Sequence, residues 1–202
     1  TGNNDGYGTA LDLDDAGVKV NAIVDLRDKP IYDDIAKAAV ARGIRIETRM
    51  TVYAAHSKGG NHVAEVDIRK IVSQGICAVQ GEVITCDLLC MSVGYTPTYQ
   101  LACQAGGQLT YDDQSAMFSL QNCPESLQLA GSVNSLWTLD AVLLEAKRAA
   151  TIATNALKFT KMQVADRVTE KTLSPNHPWP IFAHPKGKEF IDFDEDLTIA
   201  DI

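Results

Sequence analysis

Asp25 is the first residue whose type and position suggest chemistry. It closes the run Val18-Lys19-Val20-Asn21-Ala22-Ile23-Val24-Asp25, which becomes fully apolar toward its end. A polar, glycine-marked turn and a helix-spaced run precede it, with Gly2, Gly6 and Gly8 around Asn3, Asn4 and Asp5. An acidic residue about 20 positions beyond such a turn, at the end of the next strand, can bind the ribose hydroxyls of a dinucleotide. The helix N-terminus in between faces the pyrophosphate. Arg27 stands two residues further on. The turn departs from G-x-G-x-x-G, and the Asp5 carboxylate opposes a phosphate. The same Asp5 is favourable as a helix cap, and Asp25 also fits a solvated sheet edge, so both readings stay open here.

Two later turns could also meet a ligand. Gly94-Tyr95-Thr96-Pro97 and Gly131-Ser132-Val133-Asn134 each follow an apolar run. The carboxyl ends of strands form the ligand crevice of an open α/β sheet. Gly131, Ser132, Asn134, Gly94 and Thr96 are therefore candidate nucleotide contacts, against the alternative of ordinary turn residues.

Other chemistry is poorly provided for. Cys77, Cys86, Cys90, Cys103 and Cys123 form no C-x-x-C pair, and they read as packing thiols of a reduced, cytoplasmic protein. His56, His62, His177 and His184 are scattered over turns and linker. Asp192, Asp194, Glu195 and Asp196 lack the loop glycine and terminal Glu of a calcium loop. Ser92 and Ser132 sit in no G-x-S-x-G elbow.

Composition narrows the class further. The 202 residues carry 18 Lys and Arg against 26 Asp and Glu, a net charge of −8. An acidic chain without a basic cluster is a poor partner for nucleic acid. No apolar run approaches the roughly 18 residues of a membrane span.

The elements that must position these residues alternate at first. A helix over Tyr7–Ala16 stops at Gly17, the strand Val18–Asp25 follows, then a helix over Ile31–Arg42 and a strand Ile44–Glu47. That order predicts a parallel α/β sheet. Thr51–Ala55, Val63–Ile71 and Ile76–Val79 predict an antiparallel meander, with turns at Ser57–Asn61 and Gln74-Gly75. Asp87–Val93 reads as a buried strand and Leu127–Ser132 as another. A short helix runs through Leu101–Ala105. A long helix from Leu136 or Thr138 to about Lys158 carries the stripe Leu139, Val142, Leu143, Ala146, Ala149, Ala150 and Ala153. Four prolines at 175, 178, 180 and 185 mark an extended linker, and Phe190–Thr198 reads as the start of another unit. The divisions expected are 1–85, a Rossmann-like part with the meander, then 86–160, a closing strand and helix, then 161–202, the linker.

A βαβ unit needs a strand before its first turn, and that strand is not in the chain. Both ends therefore read as cuts through a longer polypeptide. An incomplete sheet exposes an edge and apolar surface, which predicts a homodimer through that edge.

Cys86–Pro97 resembles the strand and G-x-x-P loop of flavoproteins with two dinucleotide domains, of the disulfide-reductase type. Leu127–Ser132 and the following helix resemble their closing strand and helix. With Val18–Arg27, Gly106–Asp112 and Lys188–Phe193 added, the chain resembles the alpha subunits of heterotetrameric sarcosine oxidases. The resemblance implies an α/β, incomplete Rossmann-like FAD/NAD(P)-binding module with a β-meander and an extended C-terminal tail. It implies NAD in the intact subunit, with FAD, FMN and tetrahydrofolate elsewhere in the complex and other oxidase subunits as partners. It also implies that the whole complex oxidatively demethylates sarcosine while the isolated segment is inactive. Ser132 stands where the flavoproteins carry an Asp that binds the flavin ribityl chain, which argues against FAD here. The stretch Phe190–Thr198 has no Cys, so the iron–sulfur cluster of related amine dehydrogenase subunits cannot form there. Two alternatives remain: a non-catalytic scaffold with a decayed nucleotide site, and a subunit of an FAD-dependent opine- or proline-type dehydrogenase.

Overall fold

In the computed structural model, helix α1 (Asp5–Asp15) and helix α2 (Asp34–Ala41) flank a parallel pair, β1 (Ile23–Asp25) and β2 (Ile46–Thr48). The structure describes residues 1–202 except 30–32, 114, 160, 169–175, 183, 185–189, 193–196 and 199–202. Asp194, Glu195 and Asp196 of the acidic run, with Pro175 and Pro185, lie outside the described residues.

The chain divides into two compact units, Thr1–Gly94 with Trp179–Ile202, and Tyr95–Pro178. In the first unit the register is Ile23 to Ile46, Val24 to Glu47 and Asp25 to Thr48. Tyr7, Ala10, Ile23, Ala36 and Ala39 form its buried cluster, with Leu11, Val20, Ile44 and Ile46 packed against it. Alanines at the helix faces let both helices lie close to the strands. Gly17 and Gly43 end the helical segments at positive φ, a conformation glycine adopts without steric cost.

The meander follows as β3 (Met50–Ser57), β4 (Val63–Ser73) and β5 (Ile76–Thr85), antiparallel in that order. Its strands run longer than the turn signals predicted, and β5 continues through Gly81. An added Cβ at Gly81 would lie 2.4 Å from the Ile68 carbonyl oxygen, so the crossing needs glycine. Arg45 joins the sheets by bonding Glu82 through both terminal nitrogens, at 2.7 and 2.6 Å. Arg69 lies 3.5 Å from the Tyr53 ring centroid and bonds Asp67, and the His184 ring centroid lies 4.6 Å from that of Tyr53, the rings tilted by 34°. β8 (Phe190–Asp192) pairs antiparallel with β9 (Leu197–Thr198).

The second unit holds α3 (Gln100–Gln104), the hairpin β6 (Gln108–Asp112) with β7 (Met117–Asn122), a 3-10 turn Ser132–Asn134, and α4 (Leu139–Ala156). Tyr111 and Tyr99 meet the Phe118 ring edge-on at 5.1 and 6.3 Å. Thr138 caps α4 by accepting from the Ala141 N–H.

Four sequence expectations are corrected. Asp87–Val93 is extended but belongs to no sheet, and its Leu88 and Met91 are 56% and 76% exposed. Leu127–Ser132 also joins no ladder. An apolar run becomes a strand only where a neighbour offers its edge, and none does among the described residues. Cys90 is exposed for the same reason, whereas the other four cysteines are half-buried and all five are free. The buried face of α4 is Ala141, Glu145 and Thr151, while Leu139 and Leu143 of the predicted stripe are 71% and 58% exposed. Periodicity identifies an apolar face without saying what covers it.

Candidate functional site

The carboxyl end of β1 gathers the polar groups of the first unit. Asp25 is fully buried, and its carboxylate is saturated with donors. Tyr7 Oη donates at 2.8 Å. Arg27 donates from its backbone N–H at 2.9 Å, from Nε at 3.0 Å and from Nη2 at 2.7 Å. The Arg27 guanidinium also sits over the Tyr7 ring, 5.9 Å from its centroid. A buried carboxylate held by an arginine and a phenol satisfies the demand that a buried charge be paired and hydrogen-bonded.

The turn before α1 is equally ordered. Asn3 is buried, and its side-chain oxygen accepts from Ser92 Oγ at 2.8 Å and from the Asp5 N–H at 3.1 Å. The Asn3 amide thus does for the helix start what a capping side chain does. Gly6 packs against Thr1: a Cβ there would fall 2.6 Å from Thr1 Cβ. Asn4 Nδ2 donates to Asp33 at 2.7 Å, linking the starts of α1 and α2. Asp33 also caps α2 through the Ala36 N–H at 2.9 Å. Burial raises the Asp33 pKa, but the bonds from Ala36 and Asn4 and the charge of Arg27 outweigh it and hold the carboxyl below its ordinary value.

These contacts bear on a dinucleotide. Asp5 in the first turn of α1 and Asp33 bonded to Asn4 put two carboxylates at this helix start. A pyrophosphate does not fit the α1 terminus itself while both are ionised. Gly94 ends the first unit, exposed.

Thr96 lies exposed in the second unit, beside buried Pro97. Gly131, Ser132 and Asn134 stand together there. Gly131 has φ 87°, which a side chain disfavours. The Asn134 N–H returns to the Gly131 carbonyl at 2.9 Å, and Asn134 Nδ2 reaches the Leu129 carbonyl at 3.3 Å. Ser132 is exposed.

Sequence reading missed Tyr7, Asn3 and Glu145. Tyr7 was legible as an aromatic inside an amphipathic helix, yet nothing local paired it with Asp25. Glu145 is 1% exposed, bonded to Arg148 Nη1 at 3.2 Å and to the Val168 N–H at 3.3 Å. It stands beside the predicted apolar stripe, where periodicity assigns solvent. Among the described residues no group of His, Cys, Asp or Glu could hold a metal. Burial, then the Asp87 charge, raises the Cys86 pKa, so its thiol stays protonated.

No known family profile matches the chain. Its fold is like that of bacillithiol disulfide reductase from Staphylococcus aureus, with a TM-score of 0.55 at 18% identity, covering 80% of this chain and 50% of that one. It is a mixed α/β fold like that of the reductase, carrying an antiparallel sheet. No helix among the described residues is long and apolar enough to cross a membrane. In sequence it is 29% identical over 204 residues to sarcosine oxidase subunit alpha of Rhizobium meliloti (strain 1021), and it spans 19% of that relative's length. All of the chain takes part in that match, so it is similar from end to end to a segment of a sarcosine oxidase alpha subunit.

Proposed function

We propose that the chain is a nucleotide-binding segment of the alpha subunit of a sarcosine-oxidase-like amine oxidoreductase, contributing to NAD binding and to assembly with the other subunits of a cytoplasmic heterotetramer. The observation that carries this reading is the match of the whole chain to the Rhizobium meliloti subunit. The fold likeness supports the dinucleotide part. Asp25, Gly94, Thr96, Gly131, Ser132 and Asn134 are the proposed contacts. Asp25 acts largely through its neighbours: its carboxylate reaches a ribose hydroxyl only by exchanging a bond to Arg27 or Tyr7. The flavins and tetrahydrofolate act elsewhere in the complex.

Calorimetric titration with NAD of a full-length alpha subunit containing this segment tests the reading. Saturable binding is expected, weakened about tenfold by Arg27→Ala, equivalent to ~1.4 kcal/mol. Arg45→Ala, which removes the contact to Glu82, leaves affinity unchanged. A subunit that takes up no NAD overturns the proposal and favours a scaffold with a decayed nucleotide site. That second reading draws on the saturated, fully buried Asp25 and on the acidic start of α1.

A further inference from the structure

Thr96 stands between two constraints on its backbone. Pro97 follows it and is fully buried. A residue before proline is confined to the extended region, and a β-branched side chain is stiff about its first torsion. Thr96 is exposed, and its hydroxyl bonds none of the described residues.

The second constraint comes from Tyr95, which precedes Thr96 and lies outside any helix or strand. There a side chain takes the place of a strand neighbour. Asn176 Oδ1 accepts the Tyr95 N–H at 2.5 Å, and Asn176 Nδ2 donates to the Tyr95 carbonyl at 2.9 Å. One amide thus satisfies both backbone groups of one residue, as the facing residue of an antiparallel pair does. The same Nδ2 donates to the Ala116 carbonyl at 3.1 Å. Ala116 holds φ 51° just ahead of β7, so the amide also ties this loop to the hairpin. Asparagine offers two donors and an acceptor in one plane, and all three bonds draw on that set.

The clamped residue is anchored a second time through its ring. The Tyr95 ring centroid lies 5.6 Å from that of Trp137, the rings tilted by 39°. Trp137 follows the turn that begins at Gly131, which closes when the Leu136 N–H donates to the Gly131 carbonyl at 3.3 Å. It also directly precedes Thr138, the cap of α4. Backbone clamp and ring contact together set Thr96 against the turn that carries Ser132 and Asn134.

We propose that Asn176 is a positioning residue of the nucleotide site, which fixes the Tyr95 backbone and thereby the direction of the Thr96 hydroxyl. The proposal rests on the NAD reading above. Thr96 is the group that meets the ligand. Its hydroxyl both donates and accepts, which suits a ribose hydroxyl, and a group already held in its bound direction loses less freedom on binding. Asn176 acts through Thr96, because its own amide is engaged with the three backbone groups.

The test is a double-mutant cycle in the full-length alpha subunit containing this segment, read by calorimetric titration with NAD. Asn176→Asp keeps the acceptor for Tyr95 and removes both donors. Thr96→Val removes the hydroxyl and keeps the shape. Each alone is expected to weaken NAD binding by about five- to tenfold. Added to Thr96→Val, Asn176→Asp is expected to cost no more than about a further twofold. Asn155→Ala removes another side-chain clamp of the same unit, on the Met162 backbone, and leaves affinity unchanged. A general structural role weakens binding by the same factor in either background, so additive losses overturn the proposal and leave the NAD reading standing. So does an Asn176→Asp subunit of unchanged affinity, or an Asn155→Ala subunit weakened as much. A subunit without substitutions that takes up no NAD overturns both. Where Asn176→Asp does not fold, Asn176→Ser enters the same cycle and is judged by the same outcomes.

Discussion

Tyr7 is the side chain on which the buried charge of the first unit depends. Asp25 is wholly excluded from water, so each of its donors replaces a lost hydration bond. Arg27 supplies charge and three of the bonds, but it is tethered two residues away and its side chain is 19% exposed. Tyr7 supplies the bond from the helix side and connects α1 to the end of β1 through this carboxylate. Tyr7→Phe keeps the ring packing and removes one donor from an ionised acceptor. Bonds to charged groups are worth about 1.5–3 kcal/mol, so urea unfolding should register a loss of about 2 kcal/mol. A loss below ~0.5 kcal/mol would mean that Arg27 satisfies Asp25 without the phenol. The sequence placed Asp25 correctly at a strand end, because an apolar run closing on a carboxylate is a local pattern. The partners were not legible, because Tyr7 lies 18 residues away and meets Asp25 only once the helix has packed.

Elements bounded by local signals were the readable ones. α1 ends before Gly17, the meander turns at Lys58–Asn61 and Gln74-Gly75, and Thr138 starts α4, all near the positions that composition marks. Elements defined by a neighbour were not. Asp87–Val93 and Leu127–Ser132 have strand composition, but strand pairing belongs to two segments and neither finds a partner among the described residues. The β6–β7 hairpin passed unnoticed because its residues, Gln108–Asp112 and Met117–Asn122, alternate only weakly. The start of α2 allows a direct test of one local signal. Asp33 accepts from Ala36 and Asn4, and its carboxyl is held below the ordinary value of 3.8. A carboxyl depressed on folding stabilises the protein above its unfolded pKa, and that stabilisation is lost as pH falls through the folded pKa. Asp33→Asn keeps a competent cap and removes the charge. Near neutrality it should cost about 0.5 kcal/mol, a small amount because the site is partly solvated. As pH falls below about 3.8, the two stability curves should converge. A constant gap across that range would assign the whole effect to hydrogen-bond geometry.

At the scale of the whole molecule, the chain is similar to one segment of a much longer sarcosine oxidase subunit. The chain spans 19% of its relative. Among the described residues no group of His, Cys, Asp or Glu could hold a metal. The closing turn of the second unit reinforces the point. Flavoproteins of the type it resembles place a carboxylate where Ser132 stands, and an ionised acceptor bonds a ribityl hydroxyl about twice as strongly as a neutral one. Ser132 is exposed, and the Asn134 N–H and side chain are committed to Gly131 and Leu129. The isolated chain, mixed with FAD and passed over a desalting column, should therefore emerge without absorbance near 450 nm, an approximate band position that reports oxidised flavin. Supplied with sarcosine and oxygen it should form no peroxide above a protein-free control. Restoring the acid as Ser132→Asp should not suffice for retention, because one side chain contributes only a few of the contacts that a dinucleotide needs. A yellow chain, in either form, would instead favour the FAD-dependent opine- or proline-type reading and would make the second unit a flavin site in its own right.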